Sequence, residues 1–115
     1  MNSGREHEIL DVFCNWLIQQ GWDVQTQVDW VDVVARRGEE RLVGEAKGVT
    51  TEPGLDVDTM YGQLLRRMTD EPGTRYAIIV PEKVIPAASR VSESIRRRLN
   101  IDMYGVDVDD VVRRH

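Results

Sequence analysis

Apolar residues fall at helical spacing near the start of the chain. Ile9, Val12, Phe13, Trp16 and Leu17 recur at i, i+3 and i+4, which predicts a helix over residues 6–20 with one buried face. Asn2 or Ser3 is placed to cap it, and Gly21 to stop it. Glu8 stands one turn before Val12, at the border of the apolar stripe, where a half-buried side chain is expected. The period then changes. Residues 22–28 alternate weakly, residues 30–35 read WVDVVA, and residues 41–47 read RLVGEAK after the turn signal Arg-Gly-Glu-Glu. The last two runs read as a hairpin. Pro53 and Gly54 mark residues 48–58 as a loop, in which Asp56 and Asp58 serve capping and solvation. A second helix opens at Asp58 or Thr59 and runs to Met68, with Met60, Leu64, Leu65 and Met68 inward and Pro72-Gly73 after it. Residues 75–80, RYAIIV, form a nearly continuous apolar run, as in a strand covered on both faces. A third helix is expected over residues 87–99, with Ala88, Val91, Ile95 and Leu99 inward. A last strand follows over 101–106, then a short turn or fraying tail. The order is α-β-β-β-α-β-α-β: one α/β domain with a mixed central sheet flanked by helices.

Register gives the hairpin chemical content. With the turn at Gly38-Glu39, Asp32 falls opposite Glu45, Val34 opposite Val43, and Trp30 opposite Lys47. The other face pairs Val33 with Gly44, Val31 with Ala46 and Ala35 with Leu42, and is wholly apolar, which supports the register. Two carboxylates are thus directly opposed, and Lys47 shares the face of Glu45 because strand side chains alternate. Like charges across a ladder destabilise it by up to about 1 kcal/mol, and by more when half-buried. Two arrangements offset that cost. Lys47 can neutralise the pair at an exposed edge, or a hard divalent cation such as Mg²⁺ can sit between the carboxylates with a backbone carbonyl and waters. Trp30, opposite Lys47, can shield the site or pack under a helix, and core packing is the expected use.

Composition narrows the setting. The chain has 115 residues, enough for one domain with its own core. It holds no apolar run of the roughly 20 residues that span a bilayer, and MNSGREHE is too polar for a secretory signal, so a cytoplasmic protein is expected. Cys14 is the single cysteine, which excludes an internal disulfide and a cysteine-rich zinc site. The net charge of −5 argues against a general nucleic-acid binder. The distribution of charge argues differently. Only Lys47 and Lys83 are lysines, and the arginines cluster as Arg36-Arg37, Arg66-Arg67, Arg96-Arg97-Arg98 and Arg113-Arg114. Arginine is the better bidentate phosphate ligand, although such clusters also serve as solvated helix faces. Arg66 and Arg67 lie three and four residues after Gln63 and share its side of a helix. Gln63, Arg66 and Arg67, with Arg36 and Arg37, are therefore candidates for binding a DNA backbone. His7 and His115, at the chain ends, are read as incidental.

The run V-D-V-V, followed thirteen positions after Asp32 by E-A-K, resembles the PD-(D/E)xK nuclease signature: Asp32, then Glu45-Ala46-Lys47. Glu8 on the first helix is similar to the extra acidic residue many members carry there. Gln63 is similar to the glutamine several branches place in the helix after the E-A-K strand. Element order and length resemble the archaeal Holliday-junction resolvases and the Mrr-type restriction endonuclease modules, over roughly residues 6–106. Valine stands before Asp32 where the nominal motif has proline, and Arg67 stands where some exonuclease branches carry tyrosine.

The resemblance implies a restriction-endonuclease-like fold and phosphodiester hydrolysis with one or two metal ions, Mg²⁺ or Mn²⁺. Asp32, Glu45 and the Ala46 backbone carbonyl would be ligands, and Glu8 would serve a second metal or its water. A bound Mg²⁺ acidifies water and withdraws charge from the scissile phosphate. Lys47 would stabilise charge rather than abstract a proton, since two neighbouring carboxylates favour its ammonium form. Gln63, being neutral, would orient Lys47, water or phosphate. The first expectation is a metal-dependent DNA endonuclease, acting as a homodimer because one small protomer carries one site. The alternatives are a non-catalytic nucleic-acid-binding or protein-interaction module of the same fold, or a nuclease subunit whose partner protein supplies specificity.

Overall fold

Two apolar layers, one on each face of a single sheet, organise the chain. The computed structural model describes residues 2–48 and 52–115, and side chains from residue 8 onward in the first helix. The capping roles expected of Asn2 and Ser3, and the side chain of His7, lie outside the described residues. The elements are α1 (Asn2–Gln19), β1 (Asp23–Val28), β2 (Val31–Arg37), β3 (Glu40–Ala46), α2 (Pro53–Arg66), β4 (Thr74–Pro81), a 3-10 turn (Glu82–Val84), α3 (Ile85–Ala88), α4 (Glu93–Arg98), β5 (Ile101–Val106) and β6 (Val112–Arg114). The strands form one sheet in the order β1-β2-β3-β4-β5-β6. β3, β4 and β5 are parallel, and the remaining pairs antiparallel. No helix among the described residues is long and apolar enough to cross a membrane.

One face of the sheet carries α1. Ile9, Phe13 and Leu17 are fully buried against Val33, Ala35, Leu42, Ala77 and Ile79, as their spacing predicts. Each such side chain contributes about 1.5–3 kcal/mol on burial. Phe13 lies 4.9 Å from the Tyr104 ring and 5.8 Å from that of Trp16, centroid to centroid. A side chain on Gly44 would come within 2.9 Å of Val33 Cγ1 and 3.0 Å of Ile79 Cδ1, so glycine permits the close packing of this layer. Cys14 belongs to it too. Burial, with Asp11 adding to it, pushes its thiol up to about 11. Cys14 is therefore a packing residue and not a nucleophile. Iodoacetamide is expected to alkylate it slowly at pH 8 in the native protein and rapidly after unfolding in guanidinium; equal rates in the two states would contradict this placement.

The other face carries α2, α3 and α4. Val57, Met60, Tyr61 and Leu64 of α2 pack with Val43, Tyr76, Ile78 and Val80, and the Tyr61 hydroxyl donates to the Ala88 carbonyl at 2.7 Å. Several expectations need correction here, and Leu65, expected inward on α2, is exposed. α2 begins at Pro53 rather than at 58, so Asp56 and Asp58 are helical; proline suits a first helical turn and Asp56 faces the positive end of the helix dipole. The single helix expected over 87–99 is broken. Pro86 lies in the first turn of α3, and Ser92 starts α4 by accepting the Ile95 N–H at 3.4 Å. Val91 and Leu99 still pack on this core, but Ile95 is exposed. The tail, expected to form a short turn or fray, turns and then adds β6 to the sheet edge. There the buried Asp102 carboxylate accepts from Arg75 Nε and Nη2, each at 2.7 Å, and from Arg114 Nη2 at 3.1 Å.

Candidate functional site

The β2–β3 ladder has the expected register, from Arg37↔Glu40 beside the Gly38-Glu39 turn to Val33↔Gly44. The next positions in that register are Asp32 and Glu45, and there the strands part. The Ala46 N–H donates to Asp32 Oδ2 at 2.8 Å, a side chain replacing a ladder bond. The following N–H, of Lys47, donates to the Ile79 carbonyl on β4 at 3.0 Å. β3 thus stays with β4 through Ala46↔Ile79 while β2 turns away. The divergence also shows in the core. Val33 belongs to the layer under α1, yet Val31, two residues earlier, belongs to the layer under α2.

The cause is the β1–β2 hairpin. Its last pair is Val28↔Val31, closed by Asp29 and Trp30 alone. Both have positive φ, 50° and 68°, and Gln27, across from Asp32, has φ 55°. A two-residue hairpin turn of this kind asks for Asn-Gly or Asp-Gly. Non-glycine residues held in sparsely populated conformations cost of order 1–3 kcal/mol each, and such strain clusters at functional sites. Trp30 is not under a helix, which corrects the packing expected of it. The turn throws its ring outward, 88% exposed.

Side-chain alternation places Val43, Glu45 and Lys47 on the face that packs against α2. Glu45 is 4% exposed, while Asp32 and Lys47 are half-buried. A buried carboxylate costs several kcal/mol unless hydrogen bonds, a counter-charge or a cation offset it. Gln63 is half-buried on α2, over the same face. Arg67 donates Nη2–H to the Trp30 carbonyl at 3.3 Å, so the C-terminal end of α2 reaches the hairpin tip, and Arg66 beside it is exposed.

Other candidates stand apart. Arg36 and Arg37 occupy the far end of β2, about 13–17 Å along the strand from Asp32 at 3.3 Å per residue. Arg36 pairs with Glu71 at 3.3 Å. Arg37 pairs with Glu40 at 2.9 Å and stacks 4.5 Å over Trp22. Neither reaches the fork, so the backbone-binding role expected of them is not part of this site. Glu8 is exposed on α1, which covers the opposite face of the sheet. Among the described residues no group of three His, Cys, Asp or Glu side chains is placed to hold a metal, so Glu8 is not drawn into one cluster with Asp32 and Glu45. A cleft of about 610 Å³ also lies away from the fork, among Trp16, Trp22, Arg37, Arg75, Asp102 and Arg114. Its arginines are committed to Glu40 and Asp102. Sequence reasoning missed the exposure of Trp30 and the strained Gln27, because neither residue type signals a left-handed turn.

No family model and no curated protein matches the chain. Solved structures of similar shape include the fdxN element excision controlling factor protein from Anabaena variabilis, 19% identical, with a TM-score of 0.50 over 96% of this chain and 96% of that one. Another is an XisH family protein from Nostoc punctiforme PCC 73102, 18% identical, with a TM-score of 0.49 over 91% and 95% of the two chains. The fold is restriction-endonuclease-like.

On that fold the donors at the fork suit a hard cation. A carboxylate offers about four acceptor positions, so one N–H leaves Asp32 capacity for a metal. A residue's N–H and C=O point to the same edge of a strand, so the Ala46 carbonyl faces the gap that β2 leaves. With Glu45 the donor set is all oxygen, which matches Mg²⁺ or Mn²⁺ rather than a softer ion.

Proposed function

We propose that this protein is a metal-dependent nuclease that hydrolyses phosphodiester bonds in DNA. The observation that carries the reading is the Asp32–Ala46 bond across the parted strands. It ties the Asp32 carboxylate to the backbone position next to the buried Glu45, with a lysine on the same face as Glu45. In this reading Asp32, Glu45 and the Ala46 carbonyl hold Mg²⁺ or Mn²⁺. That ion, when bound, activates water and draws charge from the phosphate. Lys47 stabilises the charge that develops on the phosphate, and Gln63 orients Lys47 or the phosphate. Arg66 contacts the DNA backbone. Arg67 fixes the hairpin tip through Nη2, keeps Nε buried, and offers Nη1 to a phosphate. Glu8, on the helix over the other face, serves the site only by way of water.

A neighbour in fold is an fdxN element excision controlling factor protein, and control of excision is compatible with a role for this chain in cutting or rearranging DNA. One fork per chain makes a symmetric homodimer the simplest way to cut two strands. A larger partner could supply sequence specificity.

A second reading is a non-catalytic module of the same fold, favoured by the absence of a third acidic ligand among the described residues. The test is a panel of labelled duplex, junction, flap and single-stranded DNA, with RNA, incubated with Mg²⁺, Mn²⁺ or EDTA. The nuclease reading expects metal-dependent cutting that Lys47→Ala slows by roughly a hundred-fold or more, the loss typical of one charge-stabilising group. Binding without cutting under either metal would favour the module.

A further inference from the structure

We infer that Trp30 is a stacking platform for an unpaired base beside the scissile phosphate, so that the substrate is nucleic acid with single-stranded character at the cut. This inference rests on the nuclease reading and narrows its substrate. The ring is 88% exposed and contributes no packing, unlike Trp16 and Trp22, which pack against the α1 layer. Trp30 is also conformationally costly. At φ 68° it holds a place in a two-residue turn where glycine is preferred. A residue that is strained and displayed serves something other than the stability of this chain.

Its position says what. Trp30 is the second residue of the β1–β2 turn and precedes Asp32 by two residues, so their Cα atoms are at most about 7 Å apart, within one or two nucleotide steps. A ligand whose phosphate sits at Asp32 and Glu45 therefore has a base within reach of the indole. Arg67 donates to the Trp30 carbonyl at 3.3 Å, so the backbone that carries the indole is tied to α2. Arg66, exposed next to it, offers positive charge to the backbone of the same strand. Indole and base faces stack without regard to base identity, and a duplex whose bases are already stacked offers no free face.

The test compares wild type with Trp30→Gly and Trp30→Phe. Anisotropy of a fluorescein-labelled single strand of about 20 nucleotides, longer than common single-strand sites, is measured in Ca²⁺ and compared with a blunt duplex of the same sequence. Cleavage in Mn²⁺ is measured alongside. Trp30→Gly is expected to weaken single-strand binding roughly ten- to a hundred-fold, to leave duplex binding unchanged, and to melt no lower than wild type, because glycine fits the turn. Trp30→Phe keeps most of the affinity. Unchanged single-strand binding by Trp30→Gly, with cutting intact, overturns the inference and leaves the nuclease reading standing. Loss of self-association in Trp30→Gly without loss of nucleic-acid binding assigns the tryptophan to a protein interface and also overturns it. Wild type that neither binds nor cuts any strand overturns the nuclease reading and this inference with it.

Discussion

Asp32→Asn is expected to lower metal-dependent cleavage by at least roughly a hundred-fold, while the metal-free protein melts close to wild type. Disturbing even an outer-shell partner of a metal ligand costs 10–100-fold, and Asp32 is assigned as a ligand itself. The amide keeps an oxygen for the Ala46 N–H, so the fork keeps its bridge. A hydrogen bond to a neutral acceptor is weaker by about 1 kcal/mol than one to a carboxylate. Removing one of two opposed charges returns a similar amount. Asp32→Ala differs, because it also strips the Ala46 N–H of its acceptor and should cost a further 1–3 kcal/mol or so of stability. Cleavage rates and thermal melts of the two variants, measured together, separate the chemical role of Asp32 from its structural one. An Asn variant that cuts normally would remove Asp32 from the site.

Phe13→Ala is expected to have the opposite profile. Phe13 is fully buried between α1 and the sheet, against Tyr104 and Trp16. Truncating a buried phenylalanine costs about 3–5 kcal/mol, which for a domain of this size lowers the melting temperature by roughly 15 °C. The Asp32–Glu45 face lies on the other side of the sheet, so cleavage per folded molecule at low temperature should stay within a few-fold of wild type. A urea or thermal melt checks the first statement, and a rate measured well below the midpoint checks the second. A small stability loss would mean that the α1 layer collapses to fill the space.

Which elements were legible in the sequence follows from which forces shaped them. The α1 stripe of Ile9, Phe13 and Leu17 and the apolar run of β4 are set by burial, and burial leaves a periodic mark. The β2–β3 register was legible because a one-residue slip would turn Val33, Ala35 and Leu42 to the wrong face. That register, extended by one step, puts Asp32 opposite Glu45, although the observed ladder ends at Val33↔Gly44. The fork was not legible, since nothing in V-D-V-V announces that pairing stops there. Nor was the β1–β2 turn, in which Trp30 adopts a conformation that turn statistics assign to glycine. The split of α3 from α4 was hidden because two short helices satisfy nearly the same apolar spacing as one long one, with Ser92 as the only visible stop. Glu8 was placed correctly on the first helix, but helix periodicity does not reveal which face of the sheet that helix covers.

The most direct test of the central claim needs no knowledge of the substrate: calorimetric titration of the metal-free protein with Mn²⁺ and Mg²⁺, in wild type and in Asp32→Asn. The account predicts saturable binding in wild type that is lost or weakened at least roughly ten-fold in the variant. Wild type that binds neither ion, or binds as tightly without the Asp32 carboxylate, would contradict a metal site at the β2–β3 fork.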